Sequence, residues 1–182
     1  MQPSGHRCQV RNTDKKIDKG DVSVKLRYTR VQKALEILAL LVVAGTIIYL
    51  VLAWRYIPDK VPGHYGAGGE PDRWDSKGSV LFLPVTGLLL YLMITGLQRV
   101  PGIWNTGVKV TEENSALIYS NLMSMIIMIK LAMLIVFLYI TVQSVRCEPL
   151  GGWFLPVSFL ACMGPAIYYP VKNAMASRRL KK

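Results

Sequence analysis

The sequence predicts an all-α membrane protein: a four-helix transmembrane bundle, both termini cytoplasmic, with an ordered Gly/Pro-rich extracytoplasmic loop between helices 1 and 2. Three observations carry this. The chain is 52% hydrophobic, and four long apolar runs cannot be hidden in 182 residues without a polar-faced shell that the composition does not supply. The charge, +11 from 22 Lys and Arg against 11 Asp and Glu, is sorted into the tails that flank the apolar blocks. Between the first two runs lies Ile57 to Ser79, which packs five Gly, three Pro, one His and one Trp into a single connection.

Residues 1–33 hold nine Lys and Arg against three Asp and show little apolar periodicity, so a disordered or membrane-surface tail is expected. A nucleic-acid binder is also basic, but its charge sits on a folded face, so no nucleic-acid partner is expected. The first span is 34–54, apolar apart from Glu36. Twenty-odd residues at ~1.5 Å each cross a hydrocarbon core of ~30 Å. The next loop is neutral, with four basic and four acidic residues from Arg55 to Gly78. Span two is 80–97, and Ser76 or Ser79 reads as its N-cap. Span three, 116–142, comes after Thr111-Glu112-Glu113-Asn114, where Thr111 and Asn114 suit a capping arrangement and Glu112 and Glu113 favour the helix dipole. Span four, 153–171, contains Pro156, Pro165 and Pro170, which admit a kinked or re-entrant path. The second tail, 172–182, is basic with no acid. An even number of spans puts both tails on one side, and the positive-inside rule makes that side the cytoplasm of a multi-pass cell-membrane protein. No internal repeat, signal peptide or lipidation pattern is evident, and Cys8, Cys147 and Cys162 have neither disulfide nor zinc spacing.

Two groups of side chains have chemical potential. Lys130 lies near the middle of span three, where an ammonium costs roughly 2.5–3.5 kcal/mol and normally finds a partner or a functional role. A helical wheel puts Tyr119, Met123 and Thr141 on its face and Asn121 opposite. Glu36, the one intramembrane carboxylate, reads as too near the end of span one to reach it, and no proton relay is evident. In the outer loop, His64 with Glu70, Asp72 and Asp75 supplies nitrogen and oxygen donors of the kind zinc or manganese takes. The same residues suit a compact cap in which Pro58 and Pro62 stiffen the entry and Gly63, Gly66, Gly68 and Gly69 permit positive φ, or a ligand-recognition surface. One histidine is thin support for a metal, so no metal or other cofactor is expected. The chain has no P-loop, dinucleotide fingerprint, HExxH or GxSxG, and no catalytic residue is assigned.

The ordered set Ile57-Pro58, Pro62, His64-Tyr65, Gly69, Pro71-Asp72, Trp74 and Ser76-Lys77, placed after a first span, resembles the loop signature of small bacterial membrane proteins. These are the SdpI-like group, which includes immunity proteins against sporulation-delaying toxin and a domain of unknown function. Pro101, Trp104-Asn105, Val108, Thr111 to Asn114, Tyr119, Lys130 and Tyr139-Ile140 are similar to the segment beyond the loop in some relatives. The resemblance covers about residues 35–142 and implies a multi-span bundle whose signature positions are His64, Asp72 and Lys77. For immunity members it implies toxin resistance and signal relay by sequestering a repressor at the membrane. Immunity members continue into further spans, so the resemblance points to the uncharacterised branch.

The expected function is a non-enzymatic binding, immunity or signal-relay protein of the bacterial cell membrane. Its partners would be the lipid bilayer, a peptide toxin or envelope ligand at Pro62, His64, Asp72, Trp74 and Lys77, and a cytoplasmic regulator at the inner loop with Glu112 and Asn114. Two alternatives stand beside it: a small transporter or lipid-handling protein that uses Lys130, and a metal-dependent membrane enzyme that uses His64.

Overall fold

The computed structural model describes residues 27–179, so most of the basic N-terminal tail and the last three residues of the chain lie outside the described residues. Among the described residues, four helical segments are long and apolar enough to cross a membrane, the second of them Lys77–Leu97 with its leading 3-10 turn. Their α-helices are α1 (Arg30–Ala53), α2 (Phe82–Leu97), α3 (Glu112–Arg146) and α4 (Phe154–Arg179). Thr29 caps α1 in a capping box with Gln32, whose side-chain oxygen accepts from the Thr29 amide at 2.9 Å. At α3, Asn114 Oδ1 accepts from the Thr111 amide at 2.8 Å, as the spacing of those two residues predicts. Ser76 precedes a 3-10 turn over Lys77–Leu81 that leads into α2, but its side chain makes no capping bond, and Ser79 does not stand at the cap. Pro165 and Pro170 lie within a helix that stays continuous to Arg179.

The centre of the bundle is α3, against which α1, α2 and α4 all pack. Ala39, Val43, Thr46 and Leu50 form the buried stripe of α1 at three- and four-residue spacing. Gly87 of α2 is buried where a Cβ would meet the Phe137 ring at 3.3 Å, so its lack of a side chain sets the close approach of α2 to α3. Contacts fix the helix directions. Gln32 and Glu36 of α1 reach Ser124 and Lys130 of α3 in the same order, whereas Asn121 and Tyr139 of α3 meet Asn173 and Phe154 of α4 in reverse order, so α1 runs parallel to α3 and α4 runs against it.

Polarity is distributed as in a membrane protein. Lys130, Asn121, Asn173 and Thr141 are buried, whereas Leu41, Val51, Phe82, Leu92, Phe159 and Ile167 are exposed. A water-soluble bundle cannot leave that much contiguous apolar surface uncovered; acyl chains cover it at no cost. At 35 residues, α3 is far longer than a span needs. Its length of ~52 Å exceeds a hydrocarbon core of ~30 Å. Its first turns instead pack with Trp104, Val108 and Val110 of the α2–α3 connection around Ile118, Tyr119, Leu122 and Met123, a protein core at the end of the bundle away from the α1–α2 connection.

The α1–α2 connection corrects the all-α expectation. It is a two-stranded antiparallel hairpin, β1 (Lys60–Tyr65) and β2 (Pro71–Ser76). Of the four glycines that permit positive φ there, Gly69 uses it, at φ 86°.

Candidate functional site

The hairpin forms although Gly and Pro are poor strand residues, because its base is buried. Val61 is fully enclosed with Leu50, Ile57 and Val80, and the Lys77 amide donates to Asp59 O at 2.9 Å to close the base. The ladder is irregular after Pro62, which has no N–H to give. Gly63 sits at that irregularity, where a Cβ would collide with the Asp75 carboxylate. The tip turns through Gly66–Gly69, with Gly69 N donating to Gly66 O and Gly66 N to Glu70 O, both at 2.9 Å.

That tip does not stand free. Leu150 N, in the α3–α4 connection, donates to Gly69 O at 2.7 Å. A Cβ on Gly69 would lie 2.7 Å from the Gly151 backbone, so two glycine backbones meet where side chains cannot fit. Tyr65 donates to Glu148 O at 3.3 Å and lies 3.3 Å from Ser144 Oγ, while burial pushes its phenol up and keeps the hydroxyl protonated as a donor. The receiving connection is itself fixed. α3 ends in a Schellman turn with Cys147 in the left-handed region at φ 55°, and Glu148 N returns to Gln143 O at 3.0 Å. Tyr139 donates to Leu150 O at 3.1 Å, stacks with Phe154 at 5.2 Å and meets the Trp153 ring edge-on at 5.4 Å.

On this support, His64 Nδ1 lies 2.6 Å from Asp72 Oδ1, both side chains more than half exposed. Pro62 faces Trp74 across the ladder, and Trp74 is exposed. Lys77 places its ammonium 4.9 Å from the Trp54 ring centroid instead of joining the His64 pair. Asp75 is engaged by Arg73 at 3.0 Å. Among the described residues, no three His, Cys, Asp or Glu side chains are grouped to hold a metal ion, so the donors His64, Glu70, Asp72 and Asp75 are not brought to one point. Glu112 is exposed in the first turn of α3 and Asn114 is buried there. Both lie at the opposite end of the bundle from the hairpin.

A second polar group is enclosed between helices, and here the structure overturns the separation of Glu36 from Lys130. Lys130 Nζ donates to Glu36 Oε2 at 2.7 Å, to Thr95 Oγ1 at 3.0 Å and to Gln98 Oε1 at 3.0 Å. Gln98 Nε2 returns to Glu36 Oε1 at 2.7 Å, and the Tyr91 ring lies 5.0 Å from the ammonium. Lys130 is 0% exposed. The physical reason is helix length. Glu36 lies ~26 Å from the C-terminus of α1 and Lys130 ~24 Å from that of α3, so with the hairpin ends aligned the two are level. Thr95 and Gln98 do not stand out in the sequence. The one signal for them is that each ends α2 on the side where Glu36 begins α1. On the opposite face of α3, Asn121 Nδ2 donates to Asn173 Oδ1 at 2.7 Å.

A family profile described as a domain of unknown function, DUF1648, matches residues 41–88. The matched stretch starts within α1, contains the whole hairpin and stops within α2. It therefore includes Pro62, His64, Asp72, Trp74 and Lys77 and excludes Glu36, Gln98 and Lys130. A protein of Archaeoglobus fulgidus described as uncharacterized is 41% identical over 69 residues, which cover 36% of this chain and 38% of that protein. The chain thus spans well under half the length of that relative. No solved structure matches the chain. Neither similarity names an immunity protein. Four spanning helices and a region similar to a domain of unknown function make this an integral, multi-pass membrane protein.

Proposed function

We propose that the chain is a non-enzymatic recognition protein of the bacterial cell membrane, with the hairpin on the outer face and both termini in the cytoplasm. The observation that carries this is the clamping of the hairpin tip onto the α3–α4 connection through Leu150 and Tyr65. A surface held at base and tip presents His64, Asp72 and Trp74 at little ordering cost when a partner binds, which is what preorganisation contributes to affinity. An exposed aromatic beside an exposed imidazole–carboxylate pair suits a peptide toxin or an envelope ligand. On this reading the folded α2–α3 connection, with Glu112 and Asn114 beside it, meets a cytoplasmic regulator.

The alternatives meet physical obstacles. A transporter that uses Lys130 for an anionic substrate needs a free donor, and all three N–H bonds of that ammonium are matched. A metal-dependent reaction at His64 needs further ligands than Asp72 beside it.

The test is survival of cells challenged with toxin or envelope stress, with His64→Ala and Asp72→Ala compared at equal expression. A contact between two side chains more than half exposed contributes at most about 1 kcal/mol, so neither change should disturb folding. Protection should fall to the level of cells lacking the protein. Unchanged survival would overturn the proposal.

A further inference from the structure

Beneath the hairpin is a cavity of about 830 Å³, between β1 and β2, the start of α2 and the last turns of α3. This lies within the ~300–1,000 Å³ usual for sites that bury a small molecule. Its lining changes character along its length. The hairpin side carries Arg73, Asp75 and Ser144, and the other side carries Phe82, Val85 and Ile140. Phe82 and Val85 are also exposed, so the apolar half opens sideways, toward the surface that acyl chains cover.

The polar half is charged and directional. Arg73 gives Nε and Nη2 to Asp75 Oδ2 at 3.3 and 3.0 Å, and Nη2 also to Gly63 O at 3.3 Å. These bonds fix the guanidinium plane and, among the described residues, leave Nη1 unspent. Asp75 uses one carboxylate oxygen in the pair, and the other has no partner among the described residues. A phosphate bonds well to an oriented guanidinium edge, and an ammonium bonds well to a carboxylate oxygen. The cavity mouth offers both within one ion pair of no net charge. At the same end of the bundle, Trp54 and Trp153 are exposed at positions that suit the headgroup level of an aromatic belt.

We propose that this cavity is a lateral binding site for one phospholipid with a zwitterionic headgroup. The phosphate is taken by Arg73 Nη1, the headgroup amine by the free oxygen of Asp75, and one acyl chain lies along Phe82, Val85 and Ile140. The site faces away from the exposed His64–Asp72 surface, and the inference stands whether or not that surface recognises a partner.

The experiment uses the full chain in nanodiscs of equal parts phosphatidylethanolamine and phosphatidylglycerol, extracted into detergent, with retained phospholipid identified by mass spectrometry. Wild type should keep a stoichiometric phosphatidylethanolamine. Val85→Trp, which fills the apolar half, should reduce retention at least about tenfold. Gly78→Leu should act likewise, and because a Cβ at Gly78 meets nothing within 4 Å it enters open space and keeps the test sound if the larger change misfolds. Asp75→Asn should abolish the preference between the two lipids, and Arg73→Gln should lower retention of both. Leu160→Trp, on the exposed face of α4, should change nothing. Equal retention by wild type and the filled variants at equal helicity would overturn the site. Equal retention of both lipids by wild type would overturn the zwitterionic assignment.

Discussion

A lysine ammonium has three N–H bonds to give, and Lys130 gives one to α1 through Glu36 and two to α2 through Thr95 and Gln98. Gln98 closes the ring by donating to the other oxygen of Glu36. One side chain of the central helix thereby fastens two neighbours. The worth of this arrangement lies in what its loss leaves behind. Breaking a buried pair by removing one partner costs about 3–5 kcal/mol, whereas replacing both by neutral groups is far milder. Lys130→Met should therefore lower stability by about 3 kcal/mol, read from the unfolding midpoint in detergent. The double variant Lys130→Met with Glu36→Gln should recover more than half of that loss. A single variant as stable as wild type would show that the cluster is not a fastening.

At the scale of elements, the hairpin depends on glycine at one place above all. Gly69 takes φ 86° and has the Gly151 backbone where a Cβ would be. Gly78 carries neither constraint. Alanine at a position of positive φ costs more than about 1 kcal/mol, and a backbone clash adds to it. Gly69→Ala should thus release the tip and speed amide hydrogen exchange at Gly66 and Leu150, while Gly78→Ala leaves those rates near wild type. Equal exchange in the two variants would count against a clamped tip. The hairpin is not legible in the sequence, since Pro62, Gly63 and Pro71 weaken strand propensity. It is imposed by burial of Val61 and by the α3–α4 connection, both contributed by residues distant in the chain. The identity of the exposed residues is legible, because His64, Asp72 and Trp74 are unusual in a connection whichever way the backbone runs.

At the scale of the molecule, α1 and α3 run together and α4 returns, so the start of α1, the α2–α3 connection and the end of α4 share one end, opposite the hairpin. The proposed orientation puts that end in the cytoplasm. With Cys8, Cys147 and Cys162 replaced by Ser, Glu70→Cys at the hairpin tip should react with a membrane-impermeant maleimide in intact cells. Glu113→Cys at the start of α3 should react only after permeabilisation. The reverse pattern would invert the topology and move the recognition surface to the cytoplasm.

The amino-acid sequence by itself determined that four apolar helices form and where they lie, because 3.6-residue helices satisfy their own backbone and need only a low-polarity surrounding. It determined too that the residues with chemistry are concentrated in the α1–α2 connection. Only the tertiary structure decided the rest, for one physical reason: hydropathy does not tell an apolar residue covered by lipid from one covered by protein. Ile118, Leu122 and Met123 read as the start of a span but form a protein core with Trp104. The packing of α1 beside α3 likewise brings Glu36 level with Lys130, and what reads as an isolated charge is a bonded pair.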